Sequence, residues 1–260
     1  MELVSKEVRD NRDYFIVKSN ELIEQNRYEI RKSENNKSLG VMEQKIFLYL
    51  VSKIKPDQDV FEWCELDINK FCSVMKIKNS RGYIDDVRNA VEKLASKVMW
   101  LKDNEKNSER LVRYIDDAEI LKNTSTIRLK LDDNLRPYLL NLTKNFSKYR
   151  LNEIIPFKCK YSFLILDLIL AYGWKDKIVD FEIEDLKERL DAKSYNISNF
   201  KKLVIDKALM EINRNTVYNI QVSYIKRQRT IIAIRFYINV KQALDEIYIP
   251  MVIDLGEIRE

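Results

Sequence analysis

Between residues 193 and 235 the chain carries nine lysines and arginines against two acids, a net of +7, whereas all 260 residues sum to only +5. Everything outside that segment is therefore net −2. Each phosphate that a basic side chain neutralises releases condensed counterions, so a polarised excess of this kind is what a polyanion-binding surface needs. The side chains able to do that chemistry fall in two groups. Tyr195, Ser198, Asn199, Lys201 and Lys202 surround the start of "NFKKLVIDKALMEINRNT" (199–216), and Arg214 lies near its end. Lys226, Arg227 and Arg229 crowd into "KRQRT" (226–230), where their repulsion is costly unless something acidic meets them. Asn, Ser and Lys together suit base edges and phosphates in a major groove.

Most enzymatic chemistries lack their tools. The chain has no histidine, which removes Ser-His-Asp and Cys-His relays, HExxH zinc sites and histidine acid–base work. Its four glycines, Gly40, Gly82, Gly173 and Gly256, are isolated, so no phosphate-binding glycine loop can be built. Cys64, Cys72 and Cys159 form no CxxC pair and read as buried reduced thiols. The acids Asp116, Asp117 and Glu119 read as a solvated loop, since no second acidic motif joins them to make a metal site. Fourteen tyrosines raise the possibility of a tyrosine nucleophile on DNA, but the accompanying histidines of such sites are missing. No catalysis, cofactor or metal is expected.

The elements that must position the basic groups follow from apolar spacing. A helix over 199–214, wound at about 100° per residue, puts Phe200, Leu203, Val204 and Met210 on its apolar side. Tyr195, Asn199, Lys202, Asp206 and Asn213 then fall opposite, with Ser198 nearby and Lys201 on the flank. Tyr195 joins that stripe only if the helix begins early. "VYNIQVSYI" (217–225) and "RTIIAIRFYINV" (229–240) read as a hairpin whose turn is the basic cluster. Ahead of them lie a long helix (157–173) and a strand then helix (178–190).

The same order occurs earlier: a helix near 42–54 stopped by Pro56, a strand then helix over 61–75 with Asp67 as N-cap, and a helix over 80–97. That last helix has Ile84, Val87, Val91 and Leu94 as its buried stripe, and strand candidates follow at 98–101, 110–115 and 125–131. "LDINKFCSVM" (66–75) aligns without gaps to "FEIEDLKERL" (181–190), an offset of 115 residues that also pairs Leu94 with Leu209. Helix, strand, helix, helix and two-stranded ribbon is the order of a winged helix. The expected class is α+β, mainly helical, with two tandem winged helices related by internal duplication. The expected organisation is an N-terminal arm (1–38) with a short strand at 14–19, a first winged helix (39–133), a connection (134–156), a second winged helix (157–240) and a tail (241–260).

The two copies differ in charge. Opposite the apolar stripe of the earlier helix lie Asp85, Asn89, Lys93 and Ser96, with Asp86 and Glu92 beside them, a nearly neutral face. Lys76, Lys78, Arg81 and Arg88 flank that helix. Lys102, Lys106 and Arg110 sit in its hairpin turn, interleaved with Asp103, Glu105 and Glu109. A solvated turn and a weaker phosphate contact both remain open there. The longest apolar run, 161–174, is interrupted by Asp167 and is too short to span a membrane. The charged N-terminus has no signal-peptide core, so the chain is expected in the cytoplasm and away from membranes.

"FIVKSNELIEQNRYEIRKSENNKSLGVMEQKIFLYLVSKIKP" (15–56) resembles the N-terminal signature of plasmid replication initiators of the iteron-binding, tandem winged-helix family. "YNISNFKKLVIDKALMEINRNTVYNIQVSY" resembles that family's C-terminal winged helix, and "FKCKYSFLILDLILAYG" matches another of its helices less closely, with Phe163 and Asp167 departing from its pattern. The resemblance covers about 15–240. It implies double-stranded DNA binding at direct repeats of a plasmid origin, by monomers that recruit host initiator and replicative helicase. It also implies dimers, in equilibrium with the monomers and formed chiefly through the first unit, that repress the protein's own gene. By position, Tyr195, Asn199, Lys201 and Lys202 would face the groove and Lys226, Arg227 and Arg229 the backbone. From their charge and place alone, not from the resemblance, Lys78, Arg81 and Arg88 are the first unit's expected contacts. The nearly neutral first helix departs from two equal DNA readers and fits a unit that also makes protein contacts. From the residues alone, a winged-helix transcriptional regulator and a module binding an acidic protein stay open as alternatives.

Overall fold

The computed structural model describes residues 15–25, 38–55, 58–78, 81–103, 107–122, 124–173, 177–241 and 252–254. Pro56, Glu105 and Lys106 lie outside them, as does most of the expected arm and tail. The chain divides into two compact units, one from the described parts of Met1–Ser19 and Leu39–Pro156, the other from those of Asn20–Ser38 and Phe157–Glu260. The expected arm is thus shared between them. Strand β1 (Phe15–Ser19) belongs to the first unit, and the helix that follows at once, α1 (Asn20–Gln25), to the second.

In the first unit α2 (Val41–Val51) is buried along nearly its whole length, polar residues included. Those polar groups are paired, as burial demands. Glu43 accepts the Gly40 amide at 2.8 Å and pairs with Lys97 at 3.0 Å, and Lys45 donates to the Ile155 carbonyl at 2.6 Å. Strand β2 (Cys64–Asp67) leads into α3 (Ile68–Val74), whose N-cap is Asp67 accepting from the Lys70 amide at 3.0 Å. Then come α4 (Tyr83–Ser96), β3 (Val98–Asp103), β4 (Ser108–Arg113), β5 (Ile115–Ile120) and β6 (Thr126–Leu131). The β3–β4 ribbon forms its own two-stranded sheet, while β2, β6 and β5 form a three-stranded antiparallel one. The acidic triplet, expected in a loop, lies on β5. There Glu119 pairs with Arg128 of β6 at 3.0 Å and Asp116 approaches Lys130 at 4.0 Å, so cross-strand cations make an edge strand of an acidic stretch.

The expected connection also folds. It holds α5 (Arg136–Leu139), β7 (Phe146–Arg150) and α6 (Leu151–Ile154), and β7 pairs antiparallel with β1, Phe15 opposite Arg150. The Lys148 ammonium stacks 4.0 Å from the centre of the Phe15 ring.

The second unit is a winged helix: α7 (Lys160–Tyr172), β8 (Ile178–Glu182), α8 (Ile183–Arg189), a long helix α9 (197–215), then β9 (Tyr218–Arg227) and β10 (Thr230–Val240). The sheet order is β11-β9-β10-β8, where β11 (Val252–Asp254), inside the expected tail, adds parallel to β9. Arg235 of β10 sits opposite Asp180 of β8 and holds both its oxygens, at 2.7 and 2.6 Å. Phe163, one of the departures from the resemblance, is buried edge-on to Phe157 with ring centres 5.1 Å apart. Helix α1 docks on α7, with Asn20 donating to the Ala171 carbonyl at 3.3 Å.

The duplication is visible in both units. The 115-residue offset carries Ile68–Val74 onto Ile183–Arg189, and the pairs Leu66/Phe181, Ile68/Ile183, Phe71/Leu186, Met75/Leu190 and Leu94/Leu209 are all buried. The ribbons diverge: β8 pairs with its own ribbon, whereas β2 pairs with β6 and leaves β3–β4 separate.

Candidate nucleic-acid interface

Asn196 opens α9. Its side chain accepts the Asn199 amide at 2.9 Å, and three helical segments run end to end behind it: Ile197–Asn199, a wider π-helical Phe200–Ile205, and Asp206–Asn215. Phe200, Val204, Ile205, Ala208, Leu209 and Ile212 are buried. Ser198, Asn199, Lys202, Asp206, Lys207, Met210 and Arg214 are exposed.

Three expected positions change. Tyr195 precedes the cap, so it is off the stripe; half-buried, its ring lies 6.5 Å from that of Tyr161. Burial, reinforced by a hydrogen bond to Tyr195, pushes the Tyr161 hydroxyl upward. Asn213 does not face solvent: it donates to the Ile220 carbonyl at 2.8 Å and accepts the Ile220 amide at 2.7 Å, clamping the end of α9 to β9. Met210, expected on the apolar side, is 64% exposed and lies on the polar stripe. Its apolar character points one way and its spacing, four residues after Asp206, points the other; position wins. Lys207, three residues before Met210 and seven before Arg214, is exposed beside that stripe and was not among the expected contacts.

Lys201 is on the flank, as expected, with a partner there: its ammonium stacks 4.0 Å from the centre of the Tyr224 ring on β9. Burial pushes the Tyr224 hydroxyl up to about 12, Asp206 adding to the effect, and that buried hydroxyl finds no hydrogen-bond partner among the described residues. The Lys201–Tyr224 contact has a geometric consequence. It brings the N-terminal part of α9 alongside a residue only two positions from Lys226, so the helix start and the wing tip lie at the same end of the unit. The tip is a two-residue turn, Gln228-Arg229, between paired Arg227 and Thr230, with Gln228 at φ 54°. Among the described residues Lys202, Lys207, Arg214, Arg227 and Arg229 are in none of the ion pairs, while Lys226 lies opposite Asp254 of β11. Ser198, Asn199 and Lys202 on the helix therefore share one end with the three cations of the wing.

The first unit's counterpart is quieter. Asp85, Asp86, Asn89, Glu92, Lys93 and Ser96 are all exposed along α4, and Arg88 is drawn to Asp85 at 3.7 Å. Lys78 and Arg81 are exposed. Arg110, in the ribbon, donates to the Asn134 side chain at 2.5 Å. Among the described residues no helix is long and apolar enough to cross a membrane.

Residues 15–170 match the family described as "Initiator Replication protein, WH1", and residues 182–238 match "Initiator Rep protein, WH2". The chain belongs to the initiator replication protein family. In this initiator replication protein the second match takes in α8, α9, β9 and most of β10, the elements that carry the basic end. Its fold is similar to that of the Pi initiator protein, whose crystal structure is in complex with iteron DNA. The two are 17% identical, the TM-score is 0.70, and the match covers 89% of this chain and 99% of that one. A crystal structure of domains 2 and 3 of RctB is 11% identical, with a TM-score of 0.48, covering 77% of this chain and 81% of that one. No curated protein matches the sequence.

Proposed function

We propose that this replication initiator binds double-stranded DNA at direct repeats of a plasmid origin, with α9 in the major groove and the β9–β10 wing over the adjacent backbone. The observation that supports this is the Lys201–Tyr224 stack, two strand positions from Lys226 and the basic turn of Arg227 and Arg229. The N-terminal residues of a recognition helix are those that reach base edges, and a cationic wing beside them meets phosphates. The similarity to Pi, seen with iteron DNA, supports repeats as the target. The neutral α4 face gives the first unit the lesser part in DNA contact, leaving it for dimerisation, autorepression by the dimer and contacts with host initiator and helicase. The protein works in the cytoplasm without cofactor or catalytic step.

Footprinting on the DNA flanking its gene is the test. Protection of evenly spaced direct repeats, with affinity falling steeply as salt rises, is the expected result. Protection of a lone palindrome would instead make it a regulator, and salt-independent binding would remove the phosphate contacts altogether.

A further inference from the structure

Lys202, Asp206 and Met210 recur at four-residue steps and are exposed along α9, in line behind the exposed Asn199 at its start. Two of the four are odd choices for a surface that meets phosphates. Asp206 repels a phosphate, and Met210, 64% exposed, leaves its methylenes in water. A single exposed apolar side chain is ordinary on a protein surface. Met210 is distinguished by its place, in line with the polar stripe and flanked by the exposed cations Lys207 and Arg214. Neither residue is part of the core: Asp206 is exposed, its charge felt by the Tyr224 hydroxyl, and Met210 packs outside the core.

Both side chains do suit base edges. In the major groove a carboxylate accepts from the N4 amino group of cytosine, and an apolar side chain packs on the C5 methyl of thymine. We infer that Asp206 reads a cytosine and Met210 a thymine, and that these two extend the base readout of α9 beyond its first turn while the cations supply affinity. This rests on the DNA reading above. Four residues of helix rise about 6 Å and a base step about 3.4 Å, so the cytosine and the thymine lie within about two steps of each other.

The test uses the full chain and a duplex of the repeat upstream of its gene, with each thymine in turn replaced by deoxyuridine and each cytosine by N4-methylcytosine. Wild type loses about fourfold in affinity at one thymine of the repeat, the worth of one buried methyl, and loses affinity at one cytosine within two steps. Met210→Ala is weaker by a similar factor on unmodified DNA and blind to deoxyuridine at that thymine. Asp206→Ala is blind to the methylated cytosine. Both substitutions are on exposed side chains, and unchanged melting temperatures confirm that folding is not the cause. Variants that keep the full wild-type sensitivity, or sensitive bases lying far apart, overturn the inference while leaving DNA binding intact. Failure of the wild type to bind any repeat overturns the DNA reading itself, and this inference with it.

Discussion

Glu211, Ile212 and Asn213 sit in the middle of the stretch that resembles the C-terminal winged helix of replication initiators, and each has a job inside the fold. The Glu211 carboxylate accepts the Lys158 and Cys159 amides at 3.0 and 3.1 Å and the Ser162 hydroxyl at 2.6 Å, capping the start of α7 from α9. Ile212 is fully buried, and Asn213 clamps Ile220. Asn213→Ala leaves two backbone groups of β9 without partners. It should lower unfolding free energy by about 1–3 kcal/mol in urea titrations while leaving the salt dependence of DNA binding unchanged. Tyr224→Phe goes the other way. The buried hydroxyl has no hydrogen-bond partner among the described residues, so its removal should be neutral or stabilising at pH 7, and the ring keeps its lysine. The sign with pH follows from the raised Tyr224 value. From its ordinary 10 to about 12, the unfolded chain ionises while the folded one holds the proton, so wild type loses stability as pH rises through that window. Tyr224→Phe should remove that part of the loss, read as a flatter melting temperature between pH 10 and 12.

At the scale of elements, Gly173 closes α7 where there is room for nothing larger. A Cβ there would collide with the Ile238 side chain of β10 and the Ile169 carbonyl. Gly173→Ala should cost about 1–3 kcal/mol, measured as a lower melting temperature. The collision involves residues 65 positions apart in the chain, which is why nothing in the sequence announces it. The same contrast runs through the rest of the fold. Local rules were enough for the Asp67 cap, the ends of α3 and α8 and the buried pairs of the duplication, because caps and amphipathic spacing depend on neighbours. They were not enough for β1 pairing with β7, since the partner of a short strand is chosen across more than a hundred residues. They also missed β5, whose acids read as loop until the lysine and arginine of β6 are opposite them. The basic wing and the exposed Asn199 and Lys202 were legible from charge and period. The clamp by Asn213, the stack of Lys201 and the exposure of Met210 needed the packed neighbours to be seen.

Across the whole molecule the charge is divided unequally between two copies of one design. Replacing Lys226, Arg227 and Arg229 together by alanine should flatten the slope of log affinity against log salt by about three units, one for each lost phosphate contact. The matching triple change of Lys78, Arg81 and Arg88 should flatten it less, because Arg88 already faces Asp85 and α4 presents acids beside its bases. Filter binding across a salt series compares the two, and equal slopes would mean that the units share the phosphates evenly.

The chain passes from one unit to the other at Ser19–Asn20, again at Ser38–Leu39 and finally at Pro156–Phe157. Heredity feels that threading. A single crossover between two related genes at the last junction would deliver a second unit built with a foreign α1, and a first unit would keep a β1 encoded beside a helix it does not own. Trading halves at that junction would therefore set a borrowed α7 against an α1 it did not fold with, at the Asn20–Ala171 contact.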